Sequence, residues 1–172
     1  MKTLDIGCGK NKTRDSIGID FCDNADADAK HDLNIFPYPF KDNEFDKIIM
    51  KNVIEHLDNV VHVMEEVHRI GKSGAEVIIT TPHFSCLYSW QDPTHKHHLA
   101  LDSFDYFTVN TKHSNFYTNK RFEILEKRID FGKSLLSVIP RFIFWLSKHK
   151  YEKHFVFLFP ANSLYFKLRV VK

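Results

Sequence analysis

The hydrophobic and polar positions of this 172-residue chain fall into short apolar runs and one longer amphipathic stretch. Thr3 to Ile6 is too short for a helix and β-rich enough for a buried strand. Ser16-Ile17-Gly18-Ile19-Asp20 is a second such run, ending in an acid. Ala29 to Asn34 reads as another short strand containing an acid, Asp32, and Phe45 to Met50 as the next. After Lys51-Asn52, Val53 to Leu57 opens a turn or short helix. Val60, Val63, Met64, Val67 and Ile70 then recur at helical spacing, which predicts a core-facing stripe. Asp58 is the expected N-cap of that helix, and Gly71-Lys72-Ser73-Gly74 its stop. Ala75 to Thr81 is a β-branched strand that Pro82 ends. Asp102 to Phe107 reads as a short helix, and Phe122 to Ile129 as a strand with one wet face. A helix kinked or started at Pro140 is expected over Leu135 to Leu146, and a last strand over Leu164 to Val171.

In the first half the order is four strands, a helix and a strand, with glycines at the joints. That order argues for an α/β protein with a mostly parallel sheet. A crossover between parallel strands normally takes a dozen or more residues. Only Lys10 to Asp15 follow the first glycine turn, so the first crossover helix is expected to be missing or reduced to a turn. The length suits one domain with a real core. No internal repeat or low-complexity tract is present.

Composition changes this picture little: 43% hydrophobic and 27% charged residues are ordinary for a soluble globular protein. Charge distribution adds more. Residues 1–66 carry 8 Lys/Arg against 14 Asp/Glu, whereas residues 67–172 carry 16 against 8. An acidic first half and a basic second half suggest an anionic substrate or surface met by the second. Cys8, Cys22 and Cys86 show no metal-binding spacing and fit a reduced, cytoplasmic protein. Met1-Lys2-Thr3 leads straight into the first strand, so no leader is expected. Val138 to Leu146 has about half of the ~20 residues a membrane span needs.

Candidate chemistry gathers at strand ends. Gly7 and Gly9 permit a tight turn and close backbone approach of a ligand. Asp20, ending the second strand, is the group to grip a ribose through its two hydroxyls. Ligands of open α/β sheets bind outside the carboxyl ends of strands, so Gly7, Asp20, Asn52 and His83 should share one face. His95, His97 and His98, with Asp92, come from the loop expected to cover it. Two roles are open for these histidines. One or more of them, with His83, would act as general base on a substrate hydroxyl or amine, or three with Asp92 would hold a divalent metal. From Arg141 to Lys172, seven Lys/Arg stand against one acid with aromatic residues interleaved. The stretch reads as core-packing elements or as a lid meeting an anionic surface, such as one presenting a lipid-linked or phosphorylated substrate. It carries no recognised nucleic-acid module, so nucleic acid is not expected as a partner.

Leu4-Asp5-Ile6-Gly7-Cys8-Gly9, Asp20, His31-Asp32-Leu33, Phe45-Asp46, Asn52 to Leu57 and Gly71 to Gly74, in that order, resemble the class I S-adenosylmethionine-dependent methyltransferases. The resemblance covers roughly residues 1–81. It implies a Rossmann-like seven-stranded sheet whose last strand is antiparallel, in one domain of residues 1–172. Residues 1–81 would form its cofactor half and 82–172 its substrate and lid half. It further implies S-adenosylmethionine as cofactor. Gly7 and Gly9 would pass the methionine part, with Asp5 orienting their loop. Asp20 would take the ribose, Asp32 the adenine amino group with Leu33 against the ring, and Asn52 the methionine end. The family's third glycine region reads Lys10-Asn11-Lys12 here, so a more exposed cofactor is expected. The expected acceptor is a small molecule, with sugars and cell-surface precursors first. A metal-dependent hydrolase or metal-binding protein built on His83, His95, His97 and His98, and a non-catalytic cofactor-binding domain, are the alternatives. Oligomeric state is left open.

Overall fold

The computed structural model describes residues 1–108, 116–133 and 137–172. Its strands are β1 (Thr3–Ile6), β2 (Ile17–Asp20), β3 (Ala29–Lys30), β4 (Phe45–Lys51), β5 (Gly71–Pro82), β6 (Arg121–Asp130) and β7 (Ser163–Val171). They form one seven-stranded sheet in the order β3-β2-β1-β4-β5-β7-β6. Neighbours from β3 to β5 pair in parallel, and β7 is antiparallel to both β5 and β6. This is the Rossmann-like α/β sheet with one reversed strand that the resemblance implies.

Burial follows the side-chain patterns. Leu4, Ile6, Ile19, Ile48 and Met50 are wholly buried, as expected of central parallel strands covered on both faces. β7 alternates instead: Leu164, Phe166, Leu168 and Val170 point inward, while Lys167 and Arg169 pair with Glu76 and Glu123. Helix α1 (Val60–Ile70) buries Val63, Met64, Val67 and Ile70 of the predicted stripe, while Val60 is half-buried against the core. No helix lies between β1 and β2. The connection is fixed from within: Asp5 Oδ2 accepts the Thr13 N–H at 2.6 Å, and Lys51 Nζ donates to Thr13 Oγ1 at 2.8 Å.

Several boundaries differ from the pattern. The N-cap of α1 is Asn59, whose side chain accepts from the N–H groups of Val61 and His62. Asp58 is engaged elsewhere, its N–H on Asn34 Oδ1 and its carboxylate on Lys96. β3 stops after Lys30 because Asp32 turns the chain, accepting the Asn34 N–H at its side chain and the Ile35 N–H at its carbonyl. Gly71 ends α1 but at once begins β5, which bulges before Glu76 while β4 advances only from Phe45 to Lys47. Gly74, with φ of 81°, sits in that bulge.

Beyond β5 the strands run a residue or two longer than expected, and the helical elements differ more. A one-turn helix, α2 (Leu87–Gln91), occupies a stretch with no sequence signal, and the helix expected over Asp102–Phe107 is one 3-10 turn at Asp105–Phe107. Helix α3 spans Val138–Leu146, so Pro140 lies in its first turn, where its missing N–H costs nothing. Residues 135 and 136 of that expectation lie outside the described residues. A further turn, α4 (Lys148–Lys150), continues into a π-helical turn at Tyr151–Phe155.

Candidate cofactor site

The carboxyl ends of β1, β2 and β4 meet in one place. Gly7 follows β1 with φ of 64°, and a Cβ there would lie 2.4 Å from Val53 Cγ2. Only glycine fits both the conformation and the gap. Asn52 follows β4, also left-handed at φ of 51°, with its N–H bonded to the Thr80 carbonyl at 2.8 Å. Asp20 closes β2 and is buried. One of its oxygens accepts the Gly9 N–H and the other the Cys22 N–H, both at 2.9 Å. A carboxylate offers about four lone-pair positions, so each oxygen has one left for a ligand hydroxyl.

Between these ends lies a cavity of about 630 Å³. Five of the predicted residues line it: Gly7, Asp20, Asp32, Leu33 and Asn52. Asp5 and Gly9 stand behind the wall, Asp5 bracing the loop at Thr13 and Gly9 holding Asp20. Leu33 is fixed by the buried Tyr38, whose hydroxyl donates to its carbonyl at 3.0 Å. Burial, followed by the charge of Asp20, raises the Cys22 thiol, and the Cys8 thiol is pushed up to about 11 chiefly by burial.

The wall also holds residues to which no ligand contact was assigned. Phe21, Cys22, Val53, His56 and Leu57 line the cavity, all within a few residues of Asp20 or Asn52, and that adjacency was the available signal. Pro93, Thr94 and Lys96 belong to the histidine loop expected to cover this face. They arrive because the Glu55 carbonyl accepts the N–H groups of Lys96 (2.8 Å) and His97 (3.1 Å), clamping the loop to the turn at Ile54–His56.

The four histidines expected at the site lie outside the lining. His83 follows β5 as predicted but is wholly buried. Its Nδ1 accepts the Ser85 N–H at 3.1 Å, and its Nε2 lies 3.0 Å from Glu152 Oε1. His97 Nε2 donates to the Leu57 carbonyl at 2.9 Å, which fixes the loop. His98 stacks on Trp90 with ring centroids 3.6 Å apart and bonds to Ser89 Oγ. His95 turns instead toward His56, with ring centroids 4.5 Å apart. The three loop histidines and Asp92 therefore do not converge. The metal-compatible group among the described residues is Glu55, His56 and His95.

A glycine turn after β1, an acid closing β2 and a cavity at these strand ends define a nucleoside-cofactor-binding α/β protein. The comparisons narrow the class. Residues 4–79 match the model of a methyltransferase domain family. A methyltransferase structure from Mesorhizobium loti superposes with a TM-score of 0.62 at 12% identity, covering 98% of this chain and 90% of that one. One from Archaeoglobus fulgidus gives 0.60 at 18% identity, with 98% and 85% covered. Phosphoethanolamine N-methyltransferase 2 of Haemonchus contortus, in complex with S-adenosyl-L-methionine, gives 0.62 at 15%, covering all of this chain and 50% of that one. At such identities the likeness is one of fold. No curated protein sequence matches the chain.

Proposed function

We propose that this chain transfers the methyl group of S-adenosylmethionine to a small-molecule acceptor, with sugars and cell-surface precursors as the first candidates. The observation that carries the reading is the single cavity collecting Gly7, Asp20, Asp32, Leu33 and Asn52. These residues fit the cofactor. A left-handed Gly7 with no room for a Cβ leaves backbone open to the methionine part, and the spare lone pairs of Asp20 suit two ribose hydroxyls. Asp32 would accept from the adenine amino group, Leu33 would pack on the ring, and Asn52 would face the methionine end.

When bound, S-adenosylmethionine supplies a methyl group already activated on a sulfonium. The chain's share of catalysis is then mainly alignment. Pro93, Thr94 and Lys96 border the space left for the acceptor. Because His83, His95, His97 and His98 do not line it, we assign His83, His97 and His98 to holding the surrounding segment in place.

The acceptor class we favour within this reading is anionic or lipid-linked. Phe142 and Trp145 of α3 are 59% and 77% exposed, and Phe157 is 85% exposed. Lys148, Lys150 and Lys153 follow α3 closely in sequence. Exposed aromatics beside cations suit an anionic membrane surface. Among the described residues, no helix is long and apolar enough to cross a membrane.

Methyl-labelled S-adenosylmethionine, incubated with the protein and fractionated cell extract, tests the reading. Label in a small-molecule fraction supports it, and label entering the organic phase supports the lipid-linked form. Cofactor binding without label in any fraction would point to a non-catalytic binding domain.

A further inference from the structure

We propose that Glu55, His56 and His95 bind a divalent transition-metal ion on the wall of the cofactor cavity. Glu55 is 1% exposed, and neither of its carboxylate oxygens, nor the buried Thr81 Oγ1 beside them, makes a hydrogen bond of regular geometry. Burying a carboxylate this way is costly unless a cation meets it.

The two imidazoles are tautomerically prepared. His95 Nδ1 lies 3.0 Å from the Ser89 carbonyl, which only accepts, so the proton sits on Nδ1 and Nε2 keeps its lone pair. Thr94 donates its hydroxyl hydrogen to Asp92 Oδ1 at 2.6 Å. The same hydroxyl must therefore accept from His56 Nδ1, 2.9 Å away, which again leaves Nε2 free. Metal-bound histidines characteristically donate their other N–H to a carbonyl or to a group held by a carboxylate, and both patterns are present.

One ligand atom from each of the three side chains lies within 4.8 Å of the others. Ligands with ~2.1 Å bonds in a tetrahedral site stand ~3.4 Å apart, a gap that side-chain rotation can close. Two imidazoles and one carboxylate suit zinc, manganese or cobalt and leave at least one coordination position open. His56 also lines the cavity, so the site borders the space an acceptor must enter. It differs from the sequence expectation: of His95, His97, His98 and Asp92 only His95 takes part, and Glu55 and His56 complete the group.

The test titrates metal-free, full-length protein with Co²⁺, following visible absorption, and with Zn²⁺ by calorimetry. One equivalent of Co²⁺ should bind with the absorption of a four- or five-coordinate site and be displaced by Zn²⁺. Glu55→Gln and His95→Gln should each weaken binding by about 100-fold or more, beyond what loss of an outer-shell partner costs. Glu55→Gln nearly preserves shape and removes an unpartnered buried charge, so its circular dichroism and melting temperature should match or exceed the parent's. Absence of saturable binding, or parental affinity in both variants, would overturn the proposal. S-adenosylhomocysteine titrated into the same metal-free protein separates the two readings. Its binding without metal binding would defeat only the metal site, and metal binding without it would defeat only the cofactor site.

Discussion

Two regions of this molecule were expected to hold functional side chains, and they behave differently. At the ends of β1, β2 and β4, residues named from short motifs meet at one cavity. In the histidine segment, His83, His95, His97 and His98 part to a half-buried carboxylate, a neighbouring imidazole, a backbone carbonyl and a tryptophan face. Parallel strands paired in register leave the sheet on the same edge, so sequence position fixes spatial position there. A loop has no such constraint. Each of its histidines goes where a partner satisfies it, and for His83, His95 and His97 that partner lies far away in the chain.

The first region should therefore respond to substitution in ligand binding, and the histidine segment in stability. Gly7→Ala should have the largest effect, costing about 2–4 kcal/mol through its left-handed φ and the clash with Val53. A fall of roughly 5–15 °C in melting temperature and loss of S-adenosylhomocysteine binding are expected. A variant with parental stability and affinity would mean the loop is not held as described. His83→Ala should cost about 2–3 kcal/mol, since it opens a buried space and strips a partner from Glu152. Thermal melting should show this while S-adenosylhomocysteine affinity stays put. If affinity falls and stability does not, the two regions are not distinct.

Asp20→Ala should weaken S-adenosylhomocysteine by about tenfold or more, the scale of hydrogen bonds to a charged acceptor. Unchanged affinity by calorimetry would remove Asp20 from the site. The smallest effect concerns Asp28, whose pKa is lowered first by the Gly18 N–H and then by Lys12. A carboxyl depressed on folding stabilises the protein above its unfolded pKa of about 3.9, and that contribution is lost as pH falls through the lower folded value. The melting-temperature gap between parent and Asp28→Asn should thus be present at neutral pH and shrink in acid. A gap that widens in acid would contradict the assignment.

The same contrast explains what was legible in the sequence. The strands, the helix stripe of Val63, Met64, Val67 and Ile70, and the shortened first crossover follow from periodicity and spacing alone. Asp20 and Gly7 were readable because one residue type satisfies each position. The N-cap was misplaced by one residue because Asp58 and Asn59 are both competent caps, and a distant pair, Asn34 and Lys96, decides between them. Glu55 gave no signal as a site residue, since nothing local distinguishes a buried acid from a solvated one. Its neighbourhood with His95 exists only because its carbonyl binds the backbone 41 and 42 residues later, at Lys96 and His97.

The most direct test of the central claim is calorimetric titration of the protein with S-adenosylmethionine and S-adenosylhomocysteine, with NAD as control. Saturable binding of the first two, absent for NAD and weakened in Asp20→Ala, is the expected result. No binding of either, or equal binding of NAD, would show that the cavity at the ends of β1, β2 and β4 is not an S-adenosylmethionine site.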